Sequence, residues 1–231
     1  MTKVSGLAPD HLRFAVLATD TTLFTIRDGR LLVRLIKVER LPSYPSNAGL
    51  PGGLLCTEET APQATTRHLI ERAKINASGV YCEQLFTFSA LERDPRGRVV
   101  AVAYLALVPW EKLSEEERQD TTEAWWSPIK EAKNLAYDHD EMLASAISRL
   151  RSRVSYTTLI SKLIPETFTL TELEQAYASV IKTHLDKRNF RKKVEKLGIL
   201  SLVPNKKRKG AFRPAKLYRF TSKKVTDIPV L

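Results

Sequence analysis

Gly49-Leu50-Pro51-Gly52-Gly53, then Glu59, then Arg67-His68-Leu69-Ile70-Glu71-Arg72-Ala73-Lys74-Ile75: this stretch decides the fold. The glycines and proline make a loop, and Pro62 to Ile75 reads as a helix. Pro62 is tolerated in a first helical turn, while Ala64, Leu69, Ala73 and Ile75 supply a partly apolar face. A glycine pair ahead of a helix start offers backbone amides that can receive an anion. Arg67 and Arg72 can add positive charge there. Glu59 and Arg67 read as a structural pair, and His68 as an exposed or internally satisfied helix histidine.

On either side lie strands. Phe14–Ile26 and Leu31–Val38 are rich in β-branched and apolar residues, and Arg27-Asp28-Gly29-Arg30 between them is a strong hairpin signal. Pro42 to Asn47 reads as a loop. Tyr81–Leu91 and Arg98–Val108 form a second strand pair around the turn Arg93-Asp94-Pro95-Arg96-Gly97. Trp110–Asp120 is acidic and exposed, and Glu123–Ile129 is a last strand. Asp138–Val154 is a helix with Asp138 as cap and Glu141 completing a capping box. Its Leu143, Ile147, Leu150 and Val154 make one apolar stripe. Strands and helices alternating irregularly favour an α/β sandwich with a mixed sheet.

The 231 residues fit one large or two small domains, with 43% hydrophobic and 27% charged residues, ordinary for a globular protein. The longest apolar run, Val99–Val108, has ten residues, too short for a bilayer. No basic-then-apolar signal segment opens the chain. Cys56 and Cys82 give neither a disulfide framework nor a metal-ligand spacing, which suits a reducing cytoplasm. The formal net charge of +11 is unevenly placed: residues 1–150 carry −2 and residues 151–231 carry +13. Between Lys187 and Lys224 stand 15 basic residues and one acidic residue, Glu195. That bias marks a neutral module, residues 1–154, joined to one, residues 155–231, that meets a polyanion.

The second module opens with a short helix, Tyr156–Leu163, ended by Pro165. In Phe168-Thr169-Leu170-Thr171-Glu172-Leu173, Thr169 caps, Glu172 completes a capping box, and Phe168 with Leu173 forms a hydrophobic staple. Asp186 caps the next helix, Lys187 to Leu197, which places Phe190, Val194 and Leu197 on one face and ends at Gly198. Lys187, Arg188, Asn189, Arg191 and Lys192 occupy the rest. Ile199–Val203 and Lys216–Phe220 read as strands around a cationic loop with Lys207, Arg208, Lys209 and Arg213. This is a winged helix-turn-helix, whose second helix can enter a major groove. Arg188 and Arg191 are candidates for base edges, Arg208 or Arg213 for a narrow minor groove, and Lys216 with the remaining lysines for phosphates. A structured-RNA binder would need an aromatic stacking platform, which Phe190, Phe212 and Tyr218 do not supply.

The frame Gly53, Glu59, Arg67, Leu69, Glu71 and Ile75, preceded by Leu-Pro-Gly-Gly, resembles a Nudix box. In Nudix hydrolases three glutamates of this box hold divalent cations. The matching positions here are His68, Glu71 and Arg72, and Lys74 stands where a glycine is usual. One carboxylate beside a cation is a poor site for a hard cation, so the resemblance implies a catalytically silent domain with no metal. Together with the winged helix, the chain resembles the Nudix-related transcriptional regulators of NAD metabolism (NrtR). The segments 93–98, 136–139, 156–158, 168–173, 186–193 and 213–219 all look like family segments, with Phe212 replacing a usual glycine.

The resemblance implies an α/β fold: a Nudix-like α/β/α sandwich with a mixed sheet, followed by a C-terminal winged helix-turn-helix. It further implies a homodimeric repressor that binds a palindromic operator in double-stranded DNA and senses ADP-ribose or a related NAD-derived metabolite, with no required cofactor. The implied effector site comprises Gly52, Gly53, Arg67, Glu71, Arg72, Arg93 and Arg96. Alternatives of the same ancestry are a pyrophosphohydrolase of ADP-ribose or nucleoside-diphosphate sugars, and a regulator sensing a sugar of the arabinose type.

Overall fold

The computed structural model describes residues 15–40, 44–182, 186–208 and 215–228, with backbone alone at 40, 45, 46 and 205–208. Strands β1 (Val16–Arg27) and β2 (Arg30–Arg40) form the expected hairpin. Asp28 and Gly29 at its tip have φ of 50° and 69°, the pair of left-handed residues that a tight antiparallel turn requires. β6 (Val99–Leu107) runs parallel to β1, from Val16 opposite Val99 to Phe24 opposite Leu107. β5 (Tyr81–Phe88) lies antiparallel outside β6. β3 (Tyr44–Gly49) and β7 (Ala124–Pro128) pair β2, and β4 (Gly52–Leu54) pairs β1. The result is a seven-stranded mixed sheet with the path β3-β2-β1-β6-β5.

Both faces of the sheet are covered, which explains why β1 is almost continuously buried instead of alternating. Leu23, Leu32 and Ala106 point to α1 (Ala61–Glu71), where they meet Leu69, Ala73 and Ile75. Phe24, Val33, Leu105 and Leu107 point the other way, to Met142 and Leu143 of α3 (His139–Tyr156). A short helix, α2 (Glu115–Arg118), capped by Ser114, occupies the acidic stretch.

Four local expectations are corrected. The segment 42–47, read as a loop, contributes β3 from Tyr44 onward; it lies at the edge of the sheet, where a proline such as Pro45 leaves no ladder bond unmade. The glycines Gly52 and Gly53 are not in a loop but in β4, opposite Asp20 and Thr19. The helix read as 62–75 ends at Glu71. There the Ala73 amide donates to the His68 carbonyl at 3.1 Å and the Ile75 amide to the Leu69 carbonyl at 2.9 Å, wrapping the chain around Lys74 at φ 58°. That is the glycine-type helix stop, made with a lysine. Finally, Asp138 holds the N-cap position of α3, yet its side chain makes no cap bond.

The winged module follows the reading from Thr169 onward, whereas the helix read as Tyr156–Leu163 is not a separate one: Tyr156 is the last residue of α3 and only a 3-10 turn follows the extended Thr157. After a 3-10 turn at Thr158–Lys162 come α4 (Leu170–Ile181) and α5 (Lys187–Lys196), then β8 (Leu200–Arg208) and β9 (Ala215–Phe220). Thr169 and Glu172 make the capping box, and the Asp186 side chain caps α5. β8 runs further than expected, with a register irregularity between Leu202 and Lys207 around Pro204. Phe168 adds a third rung to the wing: its amide and carbonyl bond those of Tyr218 at 2.9 and 2.7 Å. One hydrophobic cluster joins both modules, running from Phe24 and Met142 through Leu150, Val154 and Leu159 to Phe168, Tyr177 and Phe190. Among the described residues no helix is long and apolar enough to cross a membrane.

Lys74 is held in a left-handed conformation that costs a side-chain-bearing residue about 1 kcal/mol. Lys74→Gly is therefore expected to stabilise the protein by about 0.5–1 kcal/mol, as a raised midpoint in chemical denaturation; an unchanged or lowered midpoint would contradict this account.

Candidate functional site

A cavity of about 330 Å³ opens where β1, β4, α1, the turn after β5 and the start of α3 converge. All seven residues singled out from the sequence as effector contacts line it: Gly52, Gly53, Arg67, Glu71, Arg72, Arg93 and Arg96. The glycines are required by close approach. A Cβ on Gly52 would overlap the Asp20 carboxylate and the Thr19 carbonyl, and one on Gly53 would stand 3.0 Å from Nε2 of His68.

The floor of the cavity is a buried charge network. Arg93, only 3% exposed, donates to Asp138 through Nε at 2.8 Å and Nη2 at 2.7 Å, and Nη2 lies 3.5 Å from Asp20. Burial works against the Arg93 charge, but the hydrogen bonds and attraction of Asp138, with Asp20 and Asp94 behind it, raise its pKa on balance. This explains the missing cap: the Asp138 carboxylate has turned from its own helix to a forked guanidinium. Asp20 also faces His139, whose Nε2 is 3.5 Å away. The Leu50 amide donates to Nδ1 of His139 at 2.9 Å, so that nitrogen is unprotonated and, in the neutral ring, Nε2 carries the proton towards Asp20.

At the rim, Arg67 is fully engaged. It donates through Nε to Glu59 at 3.0 Å, pairs again through Nη2, and reaches Glu71 at 3.3 Å and the Leu54 carbonyl at 3.1 Å. The Arg67 hydrogen bonds, helped by the Cys56 amide, hold the Glu59 carboxyl down at about 2. The sequence reading of Glu59 and Arg67 as a structural pair fits this geometry. His68 is buried, with Nδ1 3.0 Å from the Thr19 hydroxyl. Burial, then the charge of Arg67, lowers its pKa, so it is neutral near pH 7. Arg96 is bound to Asp94 at 2.6 Å and stacks over Tyr137 at 5.7 Å. Arg72, half-buried beside the opening, makes no ion pair with any described residue.

Asp20, Asp138 and His139 are the members that sequence reading missed. Asp20 sits in an unremarkable strand and Asp138 mimics a helix cap. A weak signal existed in Asp138-His139, two polar residues at the mouth of an amphipathic helix.

The second candidate surface is α5. Its Phe190 and Val194 are buried, whereas Lys187, Arg188, Asn189 and Lys192 are exposed. Arg191 differs from its neighbours. Its Nη2 donates to the Thr171 hydroxyl at 3.1 Å and lies 3.6 Å from Glu174, a carboxylate 7% exposed on α4. Lys187 stands 3.5 Å from the same carboxylate. Arg191 thus ties α5 to α4, while Arg188 is unpaired among the described residues. Lys216 is exposed on β9 with the Lys207 backbone opposite it. The side chains of Lys207 and Arg208 are not described, and Lys209 and Arg213 lie outside the described residues.

A Nudix-like sandwich with a small cavity, packed on a winged helix with a cationic second helix, defines a transcription regulator with a Nudix-type sensor domain. Residues 160–220 match the NrtR DNA-binding winged helix domain. The chain is 32% identical over 209 residues to the ADPR responsive transcriptional repressor NtrR of Acinetobacter baylyi, covering 89% of this chain and 82% of that one. It superposes on Shewanella oneidensis NrtR complexed with a 27mer DNA with a TM-score of 0.77, at 30% identity, covering 89% and 93% of the two chains. The NUDIX domain of that protein complexed with ADP ribose matches with a TM-score of 0.53, at 29% identity over 65% of this chain and 99% of that one. The chain belongs to the NrtR family.

Removing Arg93 would leave the buried Asp20 carboxylate and the largely covered Asp138 carboxylate without the guanidinium they share. Arg93→Met is expected to cost about 3–5 kcal/mol of stability, measured by urea unfolding. A loss below about 1 kcal/mol would show that the network is solvated and not a structural element.

Proposed function

We propose that this protein is a cytoplasmic transcriptional repressor that binds double-stranded DNA through its winged helix. Its Nudix-like domain binds ADP-ribose or a related NAD-derived metabolite as an effector. The observation that carries this reading is the likeness across both modules, to a named repressor and to structures holding DNA and ADP-ribose. On this reading Gly52, Gly53, Arg67, Glu71, Arg72, Arg93 and Arg96 surround the effector, with Arg72 the free cation for its phosphates. Lys187, Arg188, Asn189, Lys192 and Lys216, with Lys207, Arg208, Lys209 and Arg213 of the wing, face DNA. Arg191 belongs to the same surface chiefly by orienting α5. Two copies reading half-sites one turn apart would match a palindromic operator. The division between the modules falls at residues 154 and 155, in the last turn of α3.

We read the Nudix-like domain as silent in catalysis. Of the three positions that hold divalent cations in Nudix hydrolases, His68 is buried against Thr19, Arg72 is cationic and only Glu71 is a carboxylate. Glu71 is itself 3.3 Å from Arg67. These residues do not fit a hard cation that needs several oxygen ligands.

The geometry supports a route from effector to DNA. α3 begins at the cavity, which His139 lines and whose Arg93 is held by the N-cap residue Asp138, and ends in the core of the winged module, about 27 Å away at 1.5 Å per residue. Near its far end Arg151 donates to the Val180 carbonyl of α4 at 3.1 Å. A phosphorylated effector that competes with Asp138 for Arg93 would alter the seating of α3. It shifts DNA affinity only as far as it prefers one seating over another.

Calorimetric titration of ADP-ribose is expected to give binding with or without Mg²⁺ and no release of AMP. Arg72→Ala should weaken it about tenfold, the worth of one charged hydrogen bond, without changing thermal stability. Release of AMP would overturn the silent reading; an unchanged affinity in Arg72→Ala would displace Arg72 from the phosphate role. On an operator, Arg188→Ala is expected to cost about 1–3 kcal/mol and to relax preference at one base pair. Lys192→Ala should weaken all sequences equally and reduce the salt slope by about 1. Equal loss of base preference in both variants would refute this division of roles.

A further inference from the structure

A second cavity, of about 640 Å³, lies between the two modules. Its walls come from both: Val80, Tyr81 and Leu107 from the β5–β6 end of the sheet, and Ile164, Pro165 and Phe220 from the winged module. That volume is in the range of sites for nucleotide-sized ligands. Its charge is one-sided. Lys112, Lys162, Arg219 and Lys223 line it with a single carboxylate, Glu166, which lies 3.9 Å from the exposed Lys223.

Lys162 is the informative residue. Half-buried, it donates to the Lys223 carbonyl at 2.7 Å and stands 5.8 Å from the centre of the Tyr81 ring. Among the described residues no carboxylate lies within ion-pair distance of it or of Lys112. Burial, and then the like charge of Lys112, lowers its pKa. Two ammonium groups facing one hollow without a counter-ion oppose each other until an anion arrives. The apolar part of the wall, with the Tyr81 ring beside Lys162 and the Phe220 ring also present, suits a flat ring next to a charged group.

We infer that this inter-module cavity is a second ligand site, which takes a nucleoside phosphate with its phosphate oxygens at Lys112 and Lys162 and its base on the apolar wall. Because both modules contribute to it, a bound ligand stabilises the relative seating that it bridges and so acts on DNA affinity. Only that consequence rests on the repressor reading; the binding itself does not.

The test uses ADP as probe and the full-length chain saturated with ADP-ribose. Calorimetry is expected to show one further ADP site per chain, weakened at least fivefold in Lys112→Ala and in Lys162→Gln. Lys112 is exposed, so its variant does not threaten folding, and glutamine at 162 keeps a donor for the Lys223 carbonyl. No additional ADP site in the wild type, or the same ADP affinity in both variants, would overturn the inference. Should ADP-ribose itself not bind, ADP is titrated alone. A site sensitive to Lys112→Ala and insensitive to Arg72→Ala then still supports the inter-module cavity, while the reverse pattern rejects it. Failure of the effector reading is thereby told apart from failure of this one.

Discussion

The apolar stripe of α3 is buried by two modules at once, and the rest of the architecture depends on that sharing. Met142 and Leu143 complete the core under Phe24, Val33 and Leu105, while Leu150 and Val154 meet Leu159, Phe168 and the residues that support α5. A helix whose two halves serve different modules cannot shift in one without disturbing the packing in the other, because interiors are close-packed. The return of the chain reinforces this seam. The Thr158 amide donates to the Thr226 carbonyl at 3.0 Å and the Ile228 amide to that of Tyr156 at 2.7 Å. The junction is thus fixed by apolar packing and by backbone pairing together.

The cavity under β4 keeps a hydrolase-like frame whose charges are mostly engaged within the protein. The frame residues Glu59 and Arg67 are spent on each other and on the Leu54 carbonyl, holding β4 to α1. His68 is neutral and packed beneath Gly53. Positive charge in the cavity is then largely latent: Arg93 and Arg96 are neutralised by Asp138 and Asp94, leaving Arg72 as the unpaired cation among the described residues. An anionic ligand would meet in Arg93 a guanidinium whose partner, Asp138, sits at the start of α3, which places that charge competition beside the element that both modules share.

In the winged module, Glu174 divides the cations of α5 into two kinds. It lies in the interface of α4 and α5, where Arg191 is partly buried against it and Lys187 reaches it from an exposed position, whereas Arg188 and Lys192 remain unpaired on the open face among the described residues. A buried carboxylate near two cations also limits how far α5 can rotate about its Phe190–Val194 seam. The exposed face of α5 is therefore ordered by a polar contact as well as by the apolar one.

Much of this was legible in the sequence because it rests on interactions between near neighbours. Asp28-Gly29 set the hairpin, Thr169 with Glu172 and Asp186 set the helix starts, and Phe190 with Val194 set the buried face of α5. The spacing of Gly53, Glu59 and Arg67 announced a pair that the structure closes over one loop. The choices that sequence left open were made by distant residues. Asp138 had the local geometry of a cap, but a buried guanidinium 45 positions away binds a carboxylate more strongly than backbone amides at a solvated helix end do. Arg191 had the helix position of a base reader, but a carboxylate on α4 engages it. Pro45 looked like loop, yet an edge position lets it be strand. Sequence alone determined the elements, their caps and the charge of each module. Only the tertiary structure decided which charges remain free, because pairing in a low-dielectric interior depends on which groups the fold brings within a few ångströms of each other.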